Sequence, residues 1–285
     1  HICQQRAAEL RTYISVAGSG ALFRIKKVQK NKDGCLEQES ECTKISTQRS
    51  IPGDRDKLLP LVKPLLARSN GQSILIFVNT RNDAKRVALF IVNSIEKQIP
   101  GCPELVPPSK EILKARESLI SELAKCSTGL DKVLAGCIMK GMAYHHAGLL
   151  LEERHVVEKG IQEGSINLIV ATTTLSAGVN IRSVSRVIVY NAYRRNFSGT
   201  SANTRTLISP PLLVQMAGRS GRTETSSGDV IVIARSDAEL NEIRELYLKP
   251  IPGIISNIMT GGDVISYILQ TLSLRLTSGV RSLRE

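Results

Sequence analysis

Short apolar runs of strand length alternate with longer amphipathic segments along most of the chain. The run at 73–78 is almost continuously apolar, which is typical of a parallel strand buried on both faces. Further strands are predicted at 142–144, 167–171, 186–190 and 229–234, and helices at 55–69, 80–98, 109–125, 130–138, 151–163, from 210 onward, 237–248 and 263–275. Because strands and helices alternate over short connections, the pattern predicts an α/β fold with a parallel sheet covered by helices on both faces.

The two ends of the chain depart from this pattern. β-prone runs at 13–16 and 22–28 flank a glycine turn, and the polar stretch after them indicates a peripheral or connecting segment. From Ser236, with Glu239 completing a capping box, the pattern becomes helical. We therefore divide the chain into a connecting segment at 1–52, a central domain at 53–235 and a helical module at 236–285. Since the first residue is His1 rather than Met, we expect a longer polypeptide.

Composition adds a constraint on partners. The chain has 38 Lys and Arg against 26 Asp and Glu, a net charge of +12 that suits a polyanion. No run approaches the ~18 apolar residues of a membrane helix, so we expect no membrane partner. The six cysteines form no C-x-x-C pair, which favours reduced thiols in an intracellular protein over a zinc site.

The positive charge is arranged unevenly. The span 164–223 contains no acidic residue and no lysine, yet it contains seven arginines. Because the guanidinium fork binds phosphate through two parallel hydrogen bonds, this span indicates phosphate recognition. The alternative is a set of ordinary surface arginines whose acidic partners come from elsewhere in the fold.

Within this span, Gln215, Arg219 and Arg222 have i, i+4 and i+7 spacing. In a helix they would share one face, and one amide with two guanidinium groups there suits a transferred phosphoryl group. The alternative is a capped helix with two exposed arginines.

Two further segments directly follow predicted strands. The hydroxyl-rich segment 171–180 (ATTTLSAGVN) is placed where open α/β sheets bind ligands, although Thr and Ser also cap helices. The segment 144–149 (YHHAGL) contains adjacent histidines. Their side chains diverge, so we favour packed or phosphate-facing histidines over a metal site that includes Glu152 and His155.

The segment 190–210 interleaves tyrosine and phenylalanine with arginine around Gly199. A hairpin of this composition would stack bases and hold phosphates, and a solvated loop is the alternative.

Two dipeptides are absent from the sequence. It contains no Gly-Lys, which a Walker A loop requires, and no Asp-Glu, which a D-E-x-H metal motif requires. We therefore expect this chain alone to be inactive as an ATP hydrolase.

Four segments, taken in order, resemble motifs of the second RecA-like domain of superfamily-II DNA helicases, most closely in the polymerase theta helicase group. They are 73–81, 144–149 with Glu153 and Arg154, 171–180 and 215–222. The resemblance implies a RecA-like sheet followed by the lead into a winged helix, in a nuclear ATP-dependent 3′–5′ DNA repair helicase.

The resemblance also implies roles for individual residues. Arg222 would be the arginine finger, Arg219 and Gln215 would assist at the ATP γ-phosphate, and Gly178 and Asn180 would border the nucleotide. The Mg²⁺ ligands would belong to a first RecA-like domain of the same polypeptide. The residues implied to bind single-stranded and forked DNA are Thr80, Arg81, His146, Thr172, Thr173, Arg194, Arg195 and the candidate wedge Phe197.

The chain departs from the family pattern after Asn180, where Ile181-Arg182 replaces the usual Leu-Pro, and at Ser220, which replaces a common Ala. Two alternatives stay open at this point. One is an RNA helicase of the same superfamily, and the other is a non-catalytic nucleic-acid-binding module with a degenerate motor domain.

Overall fold

Ten strands and seven α-helices make up the described part of the chain. The computed structural model describes residues 10–17, 19–32, 35–47, 58–66, 73–97, 108–127, 129–176, 184–195, 205–220 and 228–248. The strands are β1 (Leu10–Val16), β2 (Ala21–Lys32), β3 (Cys35–Thr47), β4 (Ile74–Val78), β5 (Met142–His145), β6 (Leu168–Thr172), β7 (Arg186–Val189), β8 (Tyr193–Arg195), β9 (Arg205–Leu207) and β10 (Gly228–Ala234). The helices are α1 (Leu58–Leu66), α2 (Arg81–Glu96), α3 (Lys110–Leu123), α4 (Lys132–Met139), α5 (Leu151–Glu163), α6 (Pro210–Ala217) and α7 (Asp237–Leu248).

Eight of these strands form one sheet in the order β3-β2-β1-β10-β7-β4-β6-β5. Neighbouring strands from β1 to β5 in this order are parallel, whereas β2 pairs antiparallel with both β1 and β3. Every residue of β4, β5 and β6 is buried, as their apolar runs predict. The predicted α/β fold, with a mostly parallel sheet flanked by helices, is confirmed.

The N-terminal strands belong to this same sheet. β1 pairs with β10 along its whole length, from Leu10 opposite Gly228 to Val16 opposite Ala234. The sequence pattern indicates only a peripheral segment here, because the partner strand lies more than two hundred residues away in sequence. β3 was not predicted at all. It is an edge strand whose side chains at 43–47 are exposed, so it has no apolar pattern to detect.

Two compact units divide the chain, His1–Lys249 and Pro250–Glu285. All described residues belong to the first unit, and α7 occupies the positions predicted for a helix at 237–248. The predicted helix at 263–275 lies outside the described residues. Cys42, Cys126 and Cys137 are free thiols, and burial raises the pKa of each, to about 11 for Cys137. No described helix has both the length and the apolar composition needed to cross a bilayer.

A buried arginine connects three elements beside the β5 edge of the sheet. Arg116 on α3 donates from Nε to the Ser165 carbonyl at 2.9 Å and from Nη1 to the Met139 carbonyl at 3.1 Å. Gly141 has φ +75°, and a Cβ there would lie 2.3 Å from Arg116 Nη2. The turn into β5 therefore depends on a residue without a side chain.

We expect Gly141→Ala to lower the free energy of unfolding by roughly 2–4 kcal/mol, because it combines backbone strain with displacement of a buried guanidinium. The control is Gly136→Ala within α4. A Cβ there meets no atom within 4 Å, so this change should stabilise by about 0.5–1 kcal/mol. Urea unfolding measures both variants, and equal stabilities would contradict the role of Gly141.

A buried histidine connects β5 to α5. His145 is 3% exposed, and its Nε2 lies 3.0 Å from Glu158 Oε1, while Nδ1 is buried without a hydrogen-bond partner. Burial lowers the pKa of His145 and outweighs the opposite effect of Glu158. The neutral ring is therefore the form that the fold favours.

Protonation of His145 should accordingly oppose folding. Below the ordinary pKa of 6.5 the unfolded state binds a proton that the folded state resists, so stability falls as the pH falls through that value. We expect this part of the acid sensitivity to be lost in His145→Asn. Urea unfolding between about pH 8 and pH 5 would show it, and identical pH dependence in both proteins would contradict the assignment.

Candidate nucleic-acid and nucleotide sites

The carboxyl ends of β4 and β7 open onto a cleft of about 630 Å³. β4 and β7 are neighbours in the sheet. After β4 the chain continues to β5 on one side of these two strands, and after β7 it continues to β10 on the other side. Connections that diverge in this way leave a crevice between them, which is the general ligand site of open α/β sheets. The cleft is lined by Asn79, Thr80, Asp83, Arg86, Thr173, Tyr190, Asn191, Ala192, Tyr193, Arg194, Arg205, Ile233, Arg235 and Glu239.

The lining of this cleft has a net positive charge. Four arginines outnumber the two carboxylates, Asp83 and Glu239. Guanidinium, amide and hydroxyl groups occur together around one open space, and all of them donate hydrogen bonds to phosphate oxygens. The cleft therefore fits a polyanion better than a cation or an apolar ligand.

Each of these arginines has an internal partner. Two of the contacts are ion pairs and two are hydrogen bonds to neutral oxygens. They are Arg86 to Asp83 at 2.9 Å, Arg205 to Glu239 at 3.3 Å, Arg194 to Thr173 Oγ1 at 2.6 Å and Arg235 to Asn191 Oδ1 at 2.8 Å. The guanidinium groups are thus held in place before any ligand arrives, which lowers the entropic cost of binding.

Two arginines of the span 164–223 do have acidic partners from elsewhere in the fold, as the alternative interpretation of this span predicts. Arg205 pairs with Glu239, and Arg186 pairs with Asp229 at 2.8 Å while donating to the Leu61 carbonyl. Both carboxylates lie outside the acid-free span. Arg186 is therefore part of the sheet structure and lies at the edge opposite the cleft.

Three of the residues predicted to bind nucleic acid line the cleft, namely Thr80, Thr173 and Arg194. The Thr80 hydroxyl caps α2 by accepting from Asp83 N at 3.0 Å, which confirms the predicted capping signal. Thr172 is buried at the end of β6. Arg195 pairs through its backbone with Arg205 in the β8–β9 hairpin, and Phe197 lies outside the described residues.

Arg81 and His146 are brought together at the neighbouring turn. The His146 ring stacks on Tyr144 with 5.8 Å between centroids, and its Nδ1 accepts from Gly148 N at 3.2 Å. A neutral ring that accepts at Nδ1 has its proton on Nε2. Burial, followed by the charge of Arg81, lowers the pKa of His146 and favours this neutral form. A Cβ on Gly148 would lie 3.0 Å from Arg81 Cδ and Nη1, so the Arg81 side chain lies directly over this turn.

No described group of three His, Cys, Asp or Glu side chains has the arrangement of a metal site. Of the residues in the metal alternative, His145 contacts Glu158, and Glu152 accepts from Ser127 N at 2.9 Å. The adjacent histidines also have different neighbours, since His145 contacts Glu158 and His146 stacks on Tyr144, as consecutive positions at a strand end suggest.

The helical geometry predicted for Gln215 through Arg222 is wrong beyond Ala217. α6 ends there with Gly218 as its C-cap, because Ser220 enters a parallel bridge with Val184 instead of continuing the helix. Gln215 is exposed on α6, and Arg219 is buried. The other predicted nucleotide residues, Gly178, Asn180 and Arg222, lie outside the described residues.

Arg219 and Ser220 lie at the edge of the sheet opposite the cleft. α6 follows Ile208, whose N–H donates to the Ala192 carbonyl beside the cleft. At its other end, the Ser220 hydroxyl lies 3.2 Å from the Ser185 carbonyl and 3.3 Å from the Asp229 carbonyl, where β7 and β10 begin. α6 therefore spans the sheet from the cleft to the residues predicted to contact nucleotide.

Among the cleft residues that sequence reasoning did not predict are Asn79, Asn191 and Arg235. Asn79 and Arg235 directly follow the last residues of β4 and β10, and Asn191 is the second residue after β7. Their position after a buried strand is the signal that would have identified them.

Comparison with known proteins agrees with this architecture. Residues 119–224 match the model of the helicase conserved C-terminal domain. ATP-dependent DNA helicase Hel308 of Pyrobaculum calidifontis is 31% identical over 79% of this chain and 30% of its own length. Helicase POLQ-like of Caenorhabditis elegans is 30% identical over 81% of this chain and 23% of its own length, and DNA polymerase theta of Mus musculus is 28% identical over 81% and 9%.

The chain thus spans less than a third of each of these relatives. The matched region contains β5, β6, β7 and α6. These elements lie beside the cleft or lead from it to the opposite edge of the sheet. Residues 119–224 thus form a helicase conserved C-terminal domain of the RecA-like type, and the chain around them is similar to Hel308 and the polymerase theta group.

Proposed function

We propose that this domain is the second motor unit of an ATP-dependent 3′–5′ DNA helicase that acts in DNA repair in the nucleus. The observation that carries the proposal is the arginine-rich cleft at the β4–β7 divergence, connected by α6, which carries Gln215, to Arg219 at the other edge of the sheet. A motor needs one site for the strand that it moves and another for the nucleotide that drives it. This arrangement provides a place for each on one rigid domain.

On the nucleic-acid side, single-stranded DNA lies along the cleft. Thr80, Thr173 and Arg194 meet its phosphates inside the cleft, and Arg81 and the Nε2–H of His146 meet them at the neighbouring turn. Thr172 supports this surface from the end of β6. These donors contact backbone rather than bases, so they hold DNA of any sequence, as translocation requires.

The β8–β9 hairpin separates the strands of forked DNA. β8 and β9 are connected in sequence by residues 196–204, and we assign the wedge to Phe197 in this connection, with Arg195 as its neighbour. An aromatic side chain in such a connection unstacks the first base pair, since base–aromatic stacking compensates part of the energy lost.

On the nucleotide side, ATP lies between this domain and a first RecA-like domain of the same polypeptide. Arg222 is the arginine finger, Arg219 and Gln215 assist at the γ-phosphate, and Gly178 and Asn180 border the nucleotide. Guanidinium and amide donors fit a phosphoryl group on which negative charge accumulates. Mg²⁺ neutralises phosphate charge when bound, and its protein ligands belong to the first domain.

We assign 53–235 to the RecA-like domain, 1–52 to the connection from the first domain and 236–285 to the lead into a winged helix. The connection also contributes β1, β2 and β3 to the sheet of the second domain. Opening and closing of the nucleotide cleft then moves this DNA surface relative to the first domain.

We expect the full-length protein to hydrolyse ATP with stimulation by single-stranded DNA, and the chain of 285 residues alone to show no hydrolysis. Arg222→Ala should reduce the turnover number roughly a thousandfold while DNA affinity is retained, because the finger acts on the transition state. Stimulation by RNA but not by DNA would indicate an RNA helicase. A full-length protein without hydrolysis would indicate a non-catalytic binding module.

Arg81→Gln tests the part of the nucleic-acid surface that lies at the turn over Gly148. The change removes the guanidinium that lies over this turn and keeps a polar side chain, so affinity for single-stranded DNA should fall roughly three- to tenfold. Fluorescence anisotropy measures the affinity, with Gly136→Ala as the control because its Cβ meets no atom within 4 Å. Equal affinity in all three proteins would remove Arg81 from the binding surface.

A further inference from the structure

We propose that Tyr193 and Glu242 form a latch that fixes the base of the β8–β9 hairpin on α7. The inference rests on the proposed function, in which this hairpin separates DNA strands. Both residues are positioning residues, since they act through the hairpin and touch neither nucleotide nor the reacting atoms. The latch determines how well the hairpin resists the duplex, and ATP turnover does not depend on it.

The hairpin needs external support because it is short. β8 and β9 pair over only three positions, from Tyr193 opposite Leu207 to Arg195 opposite Arg205. A two-stranded ribbon of this length is not stable by itself. Its orientation is therefore determined by the contacts that its base makes with the rest of the domain.

On the sheet side, two contacts hold the base of the hairpin. Asn79, which follows β4, donates from Nδ2 to the Tyr193 carbonyl. Arg194 donates to the Thr173 hydroxyl at 2.6 Å, directly after β6. Both contacts lie on the side of the hairpin that faces the cleft.

The hairpin also contacts α7. The Tyr193 hydroxyl donates to Glu242 Oε2, and the guanidinium of Arg205 lies 5.0 Å from the centroid of the Tyr193 ring. Arg205 in turn donates to Glu239 at 3.3 Å. Glu239 and Glu242 are three residues apart on α7, so they lie on the same helix face. A hydrogen bond to a carboxylate is about twice as strong as one between neutral groups.

α7 is a firm support for this contact. Leu240, Ile243 and Leu246 are buried on the helix face opposite the exposed side, and they belong to the core of the domain. α7 contacts β10, β1 and β3, which are strands of the main sheet. A force on the hairpin is therefore transmitted through the Tyr193–Glu242 hydrogen bond to α7, and from α7 to the hydrophobic core.

The Tyr193 phenol keeps its proton and can therefore donate to Glu242. Burial, followed by the hydrogen bond to Glu242, raises the pKa of the Tyr193 phenol well above its ordinary value. The phenol therefore keeps its proton, and the latch does not open through ionisation of the tyrosine.

The test compares unwinding with ATP turnover in the full-length protein. Glu242→Ala removes the acceptor, Tyr193→Phe removes only the donor hydroxyl and keeps the ring under Arg205, and the double variant removes both. The matched control is Glu245→Ala, because Glu245 is exposed on the same helix and pairs only with its neighbour Arg244 among the ion pairs of the described residues. Unwinding is measured on a forked DNA duplex, and turnover is measured with saturating single-stranded DNA.

We expect each single variant to unwind roughly three- to tenfold more slowly, and the double variant to be no slower than either single variant. Glu242→Ala should retain the wild-type ATP turnover, and Glu245→Ala should match the wild type in both assays. Undiminished unwinding in Glu242→Ala, additive losses in the double variant, or turnover that falls in step with unwinding would each overturn the latch. A wild-type protein that DNA does not stimulate would instead overturn the proposed function on which the latch depends.

Discussion

The parallel pairing of β4 with β7 is the constraint on which both candidate sites depend. Ile74 to Phe77 lie opposite Arg186 to Val189, and all of these residues except Arg186 are apolar and buried. Because the chain leaves the two strands in opposite directions, their carboxyl ends cannot be covered by a common connection. Burial of the two strands stabilises the sheet, and their diverging connections leave an open edge at which arginine, threonine and asparagine side chains lie.

The arginines of this edge are organised by their neighbours. Asp83, Glu239 and Asn191 each hold one guanidinium group, and Thr173 holds another. Phosphate then replaces or joins contacts that already exist, so fewer side-chain rotamers must be ordered on binding. The excess of positive over negative groups ensures that an anion is still attracted when these internal pairs are intact.

The position of α6 relates the cleft to the nucleotide residues. Its beginning adjoins the hairpin and the cleft, and its end brings Arg219 and Ser220 against the strand edge through the Val184 bridge. The Ser220 hydroxyl contacts two backbone carbonyls there, so the serine that departs from the family pattern has a structural role. α6 therefore joins the cleft to the opposite edge of the sheet.

The sequence by itself determined the elements and the chemistry of this protein. Continuous apolar runs identified β4, β6, β7 and β10, capping residues located the start of α2, and the acid-free arginine span indicated phosphate. These signals are local, so they can be read without knowing what each segment contacts. Only the tertiary structure decided that residues 10–47 complete the main sheet, that α6 ends at Ala217 and that Tyr193 meets Glu242. Each of these features depends on a partner that is remote in sequence, and local periodicity contains no information about such a partner.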